Sequence, residues 1–169
     1  MQNIFLVGPM GSGKSTIGRQ LATRLGKEFY DSDREIEART GVDIALIFEI
    51  EGEQGFRKRE TAMLEELAGL HDVIIATGGG VVLSADNRNL LNRSGTVVYL
   101  KSSPERLFER TARDKKRPLL NTEDRKLTIQ KLLDERNPLY EEVADIVIST
   151  DDEPIKLIVS NINQELEKK

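Results

Sequence analysis

Residues Gly8-Pro9-Met10-Gly11-Ser12-Gly13-Lys14-Ser15-Thr16 lie between the apolar run Ile4-Phe5-Leu6-Val7 and a segment with Ile17, Leu21 and Leu25 at helical spacing. Strand, glycine-rich loop and helix therefore follow one another in the order a phosphate-binding loop requires. Glycines let the backbone wrap closely around phosphate oxygens without a side-chain clash. Successive N–H groups then point inward at the positive end of a helix dipole. Lys14 adds a mobile positive charge for the outer phosphates, and the Ser15 hydroxyl is placed to ligate Mg²⁺. The pattern fixes four positions, which coincide by chance in roughly one chain in a few hundred of this length. The flanking strand and helix make coincidence rarer still. Residues Gly11, Ser12, Gly13, Lys14, Ser15 and Thr16 are expected to hold a nucleotide.

The same alternation continues along the chain. Apolar runs recur at Asn3–Val7, Glu28–Tyr30, Val73–Thr77, Thr96–Leu100 and Asp145–Ser149. Helical segments lie between them. Ser32-Asp33-Arg34-Glu35 has the spacing of a capping box. Ser84 and Ser103 read as N-caps, with Pro104 at the first helical position. Pro154 opens a last helix carrying Ile155, Ile158, Ile162 and Leu166. Continuous apolar strands alternating with helices imply an α/β fold: a five-stranded parallel sheet covered on both faces, in three αβα layers. In such sheets ligands bind beyond the carboxyl ends of the strands. Those ends carry the phosphate loop, Asp31-Ser32-Asp33, Gly78-Gly79-Gly80, Lys101-Ser102-Ser103 and Thr150-Asp151-Asp152.

The chain's 169 residues suffice for one domain with a real core. The formal net charge of -4 argues against nucleic acid as the main partner. The absence of cysteine removes disulfides and thiolate metal sites. No apolar run reaches membrane-spanning length, and the first strand begins too early to leave room for a signal peptide. The expectation is a cytoplasmic protein with no membrane partner.

Several residues could carry chemistry. Phosphoryl transfer to an alcohol needs a metal to neutralise phosphate charge and a carboxylate to orient and deprotonate the hydroxyl. Asp31 and Asp33 could supply both. An acid in the first turn of a helix also stabilises that helix, so Asp33 alone would carry either reading. Its place on the same sheet edge as the phosphate loop favours the chemical one. Val73–Thr77 ends in Thr77 rather than an acid, so Asp31 is the better metal assistant, acting through water. Gly78-Gly79-Gly80 is costly in chain entropy and suggests close approach of a ligand. Arg57 and Arg136 read as ordinary surface arginines from sequence alone. Arg117, in the basic run Arg113–Pro118, could belong to a mobile charged loop or to a lid that stabilises the transferring phosphoryl. Arg110 could stack on an adenine. His71 reads as a surface turn residue.

Taken together, Gly8–Thr16, Asp31-Ser32-Asp33, Gly55-Phe56-Arg57, Gly78-Gly79-Gly80, Arg117-Pro118-Leu119-Leu120 and Arg136-Asn137-Pro138-Leu139-Tyr140 resemble the shikimate kinase family, bacterial constitutive type, over nearly the whole chain. The resemblance implies a P-loop kinase fold similar to nucleoside monophosphate kinases, forming one domain over residues 1–169. It implies a substrate-binding helical region at 33–60 and a mobile lid at 111–124. It implies transfer of the γ-phosphoryl of ATP to the 3-hydroxyl of shikimate, with Mg²⁺, on the way to chorismate and the aromatic amino acids. By the same resemblance Asp33 is the base, Arg57 and Arg136 clamp the substrate carboxylate, and Gly79 donates its N–H to substrate. Arg117 is then the lid arginine, while Arg110 and the loop near Glu153 lie along the adenine. Lys14, Asp33 and Arg117 make up the catalytic set, and the protein is expected to be a monomer. The rivals are a gluconate or nucleoside monophosphate kinase and, from another class, a nucleotide-binding regulatory module. The latter lacks support because no N-K-x-D guanine-reading motif is present.

Overall fold

Alternation along the first strand, β1 (Asn3–Val7), builds the two halves of the core. Successive side chains of a strand point to opposite faces. Phe5 and Val7 accordingly join one apolar cluster, and Ile4 and Leu6 the other. A computed structural model describes residues 2–112 and 124–169. The remaining strands are β2 (Glu28–Asp31), β3 (Val73–Ala76), β4 (Gly95–Lys101) and β5 (Ile146–Ser149). All pairings are parallel, in the order β2-β3-β1-β4-β5. β1 thus sits at the centre, where the strand order reverses, and this is the crevice position expected of a ligand site.

Helices α1 (Lys14–Leu25) and α7 (Ile155–Glu167) cover one face. There Ile17, Leu21, Ile158 and Ile162 pack on Ile4, Leu6, Ile74 and Val98. The other face is covered by α2 (Ser32–Thr40), α3 (Ile44–Ala68), α4 (Ala85–Ser94) and α6 (Arg125–Val143). Ile36, Leu64, Leu91 and Tyr140 pack there on Phe5, Ile75, Val97 and Tyr99. Each such fully buried side chain contributes about 1.5–3 kcal/mol. A short helix α5 (Pro104–Arg110) joins α6 through Leu107, Ile129 and Leu133.

The cap at α2 departs from the sequence expectation. Asp31, not Ser32, is the N-cap, accepting the N–H groups of Asp33 and Arg34. Ladder pairing carries β2 through Asp31, so Ser32 falls inside the helix, where it is buried. Ser84 and Ser103 do cap α4 and α5, with Pro104 opening α5. β3 ends at Ala76, one residue short of the expected Thr77, although the Thr77 N–H still reaches the Leu6 carbonyl at 3.1 Å. The helical region 33–60 is not continuous: α2 ends at Gly41, and α3 kinks at Gly52, whose φ is 75°. The basic run 113–118, most of the expected lid 111–124, and Arg117 lie outside the described residues.

Candidate active site

The site starts where β1 enters α1. Gly11 and Gly13 take φ values of 84° and 92°, in the left-handed region that disfavours side chains. Gly13 is the N-cap of α1 and supplies no side-chain acceptor. The first-turn N–H groups, which a capping oxygen elsewhere would satisfy, are thus left available to an anion. The Lys14 ammonium donates to the carbonyls of Gly8 at 2.6 Å and Pro9 at 2.9 Å, lying along the loop it serves. The Ser15 hydroxyl donates to one oxygen of Asp31, while the other oxygen caps α2. Asp31 therefore couples the phosphate loop to the start of α2.

A cleft of about 290 Å³ opens from Gly11–Thr16 toward Asp31, Asp33, Thr77, Gly78 and Gly79. Phosphate donors and carboxylates thus face one another across one space. Beyond Gly79 lies a cluster of charge. Arg57, on α3, donates to the Glu60 carboxylate at 3.0 Å and pairs with Glu53 at 3.5 Å. Glu60 is only 1% exposed. Burial pushes its carboxyl up to about 7; the Asp33 charge adds to the rise, whereas Arg57 and Arg136 oppose it. Arg136, on α6, is 4% exposed and its Nε has no hydrogen-bond partner. A buried guanidinium with an unsatisfied donor is poised for an acceptor that a ligand can bring.

The triple glycine makes this crowding possible. A Cβ on Gly78 would stand 2.7 Å from a Glu60 oxygen and 2.9 Å from an Asp33 oxygen. One on Gly80 would stand 2.5 Å from the Arg57 guanidinium, and one on Gly79 3.6 Å from that of Arg136. The glycines were expected to admit a ligand. They first admit the protein's own charged side chains, and Gly78 and Gly79 then line the cleft. Arg57 and Arg136 flank this turn without lining the cleft itself.

At the opposite end, Arg110 donates to the carbonyls of Gly11 at 3.2 Å and Thr150 at 3.0 Å, and to the hydroxyls of Ser102 and Thr150. It ties the phosphate loop to the ends of β4 and β5. Glu153 is exposed in the loop before α7. Two further residues, Glu60 and Tyr140, are built into the site. Glu60 stands three positions after Arg57, and Tyr140 stands four after Arg136. Those are the helical spacings that place side chains on a shared face. Neither spacing reveals which face is buried.

A parallel sheet with a phosphate loop at its central strand, facing a pocket of carboxylates and flanking arginines, defines a P-loop kinase of small molecules. A sequence model of the shikimate kinase family matches residues 10–167. The shikimate kinase of Histophilus somni is 57% identical over 162 residues, covering 95% of this chain and 93% of that one. The structure of shikimate kinase from Acinetobacter baumannii in complex with shikimate superposes with a TM-score of 0.97 at 48% identity, covering 99% and 94% of the two chains. The chain belongs to the shikimate kinase family, and its activity is that of an ATP-dependent phosphotransferase acting on shikimate. A gluconokinase from Sinorhizobium meliloti shares the fold alone, at 19% identity and a TM-score of 0.61, covering 99% and 92% of the chains.

Proposed function

We propose that the phosphate loop presents the γ-phosphoryl of ATP to the 3-hydroxyl of shikimate, held on the Asp33 side of the cleft. The hydroxyl oxygen attacks the γ-phosphorus and the bond to the β–γ bridging oxygen breaks. The hydroxyl proton passes to the Asp33 carboxylate, and ADP leaves. Asp33 orients the hydroxyl before it accepts the proton. Lys14 and the loop N–H groups stabilise charge on the phosphoryl oxygens. Arg57 and Arg136 take the substrate carboxylate as paired donors, with Gly79 contributing its N–H. Arg117, on the expected lid, adds a cation on the ATP side, and Arg110 with the loop at Glu153 borders the base.

The paired oxygens of Ser15 and Asp31 suit Mg²⁺, which prefers hard donors and keeps several waters. Ser15 would bind it directly and Asp31 through water. When bound, the ion neutralises phosphate charge. Among the described residues no cluster of three or more His, Cys, Asp or Glu side chains could hold a metal, so phosphates and water would complete its shell. No helix among the described residues is long and apolar enough to cross a membrane. A monomer working in the cytoplasm belongs to the same reading.

The observation that carries this reading is the juxtaposition of the loop and Asp33 across one cleft, with two arginines against Gly79 and Gly80. ADP release measured with shikimate, gluconate, nucleoside monophosphates or no acceptor tests it. Turnover should require shikimate. Stimulation by gluconate or a nucleotide alone would overturn it.

A further inference from the structure

Three successive peptides make up the glycine turn, and their carbonyls are held differently. The Gly78 carbonyl accepts the Val81 N–H at 3.2 Å, and the Gly80 carbonyl accepts the Leu83 N–H at 3.1 Å. The Gly79 carbonyl accepts a side chain, the Tyr140 hydroxyl, at 2.5 Å. Glycine samples more backbone conformations than any other residue, so the two peptides between these glycines are the easiest in the turn to rotate; of the two, the Gly79–Gly80 peptide is the one held by a side chain.

Tyr140 is built as a rigid post for this bond. It is fully buried on α6. Its ring packs on Tyr99 with centroids 5.0 Å apart, and the Tyr99 hydroxyl is itself fixed on Asn137 at 2.6 Å. Burial raises the phenol's pKa, so it remains a protonated donor, and the charge of Arg136 opposes that rise. The Arg136 guanidinium borders the same glycine, Gly79.

We propose that Tyr140 is a positioning residue for the acceptor substrate: its hydroxyl fixes the Gly79–Gly80 peptide beside the Arg136 guanidinium, so that the turn and the arginine meet a substrate carboxylate together. This rests on the assignment of that corner to the substrate carboxylate. Tyr140 makes no contact with substrate and serves only the acceptor half of the site.

Tyr140→Phe keeps the ring and removes the hydroxyl. The KM for shikimate should rise about tenfold, as losing a hydrogen bond that leaves a buried acceptor unpaired would cost. The KM for ATP and kcat should stay within about twofold, and Tm should fall by about 2–4 °C. Hydrogen exchange at the Gly80 amide of the free protein, which shares the peptide whose carbonyl Tyr140 holds, should quicken in Tyr140→Phe, which tests the peptide restraint without any substrate. An unchanged shikimate KM, or equal rises for shikimate and ATP, overturns the proposal. Unaltered exchange at Gly80 overturns it as well. Failure of the wild-type protein to use shikimate would instead overturn the assignment of the corner, while the exchange result would still stand or fall on its own.

Discussion

Glu60→Gln isolates a pH-dependent burden on stability. The Glu60 carboxyl is 1% exposed and is held up to about 7 against an ordinary value of 4.5. In the unfolded chain it loses its proton near pH 4.5, and in the folded protein only near 7. Between those values the native state binds more protons, so this group's contribution to stability falls as pH rises through the window and levels off above it. The gap of about 2.5 units, at 1.36 kcal/mol each, amounts to about 3 kcal/mol. Glutamine keeps the shape and an acceptor for Arg57 but cannot ionise. Urea unfolding of both proteins from pH 4.5 to 8.5 gives a difference curve in which all other titrating groups nearly cancel. Relative to wild type, the variant should gain about 3 kcal/mol between the ends of that range, mostly between pH 5 and 7. A difference curve flat to within about 1 kcal/mol, or one of opposite sign, would refute the claim that burial outweighs the Arg57 pair.

Lys14→Ala should lower turnover by about two to three orders of magnitude, the usual cost of removing a donor to developing charge, with circular dichroism unchanged. Near-normal turnover would contradict the role given to the loop. Gly80→Ala has an ordinary backbone conformation to occupy, with φ of -96°. Its methyl would nonetheless meet the Arg57 guanidinium at 2.5 Å. Displacing that group from Glu60 should cost about 1–3 kcal/mol of stability and raise the KM for shikimate while sparing that for ATP, readable by unfolding and steady-state kinetics.

What was legible in the sequence was short-range. The phosphate loop spans nine consecutive residues, and the alternation of strands and helices is written in local periodicity. Even so, local spacing points to Ser32 as the α2 cap, and the structure has Asp31 there. Asp31 and Ser32 are both good caps, and the choice depends on how far β2 pairs with β3, which is a tertiary matter. Burial of Arg136 was illegible for the same reason. On its own helix it looks like any exposed arginine, and only packing of α6 against the turn after β3 encloses it. Glu60 sits two positions from Lys58 and one from Arg59 in a charged stretch that reads as solvated. Its near-complete burial follows from the rotation of α3, which hydrophobic spacing around the Gly52 kink does not reveal.

The triple glycine shows why the two halves of the site were unequally readable. In the phosphate loop, glycine serves backbone conformation, and positive φ at Gly11 and Gly13 leaves a sequence motif that stands alone. At Gly78 and Gly80 the glycines serve space. Asp33, Glu60 and Arg57 come from two different helices to within contact of the missing methyls. Such a cluster holds charges of both signs at low exposure, which is tolerable only when each charge has a near partner. An incoming carboxylate would change that balance by drawing on the arginines that now offset Glu60. On the proposed assignment, the substrate half of the site is a set of compensated charges that a bound acid must rearrange electrostatically, whereas the nucleotide half is a backbone shape formed in advance.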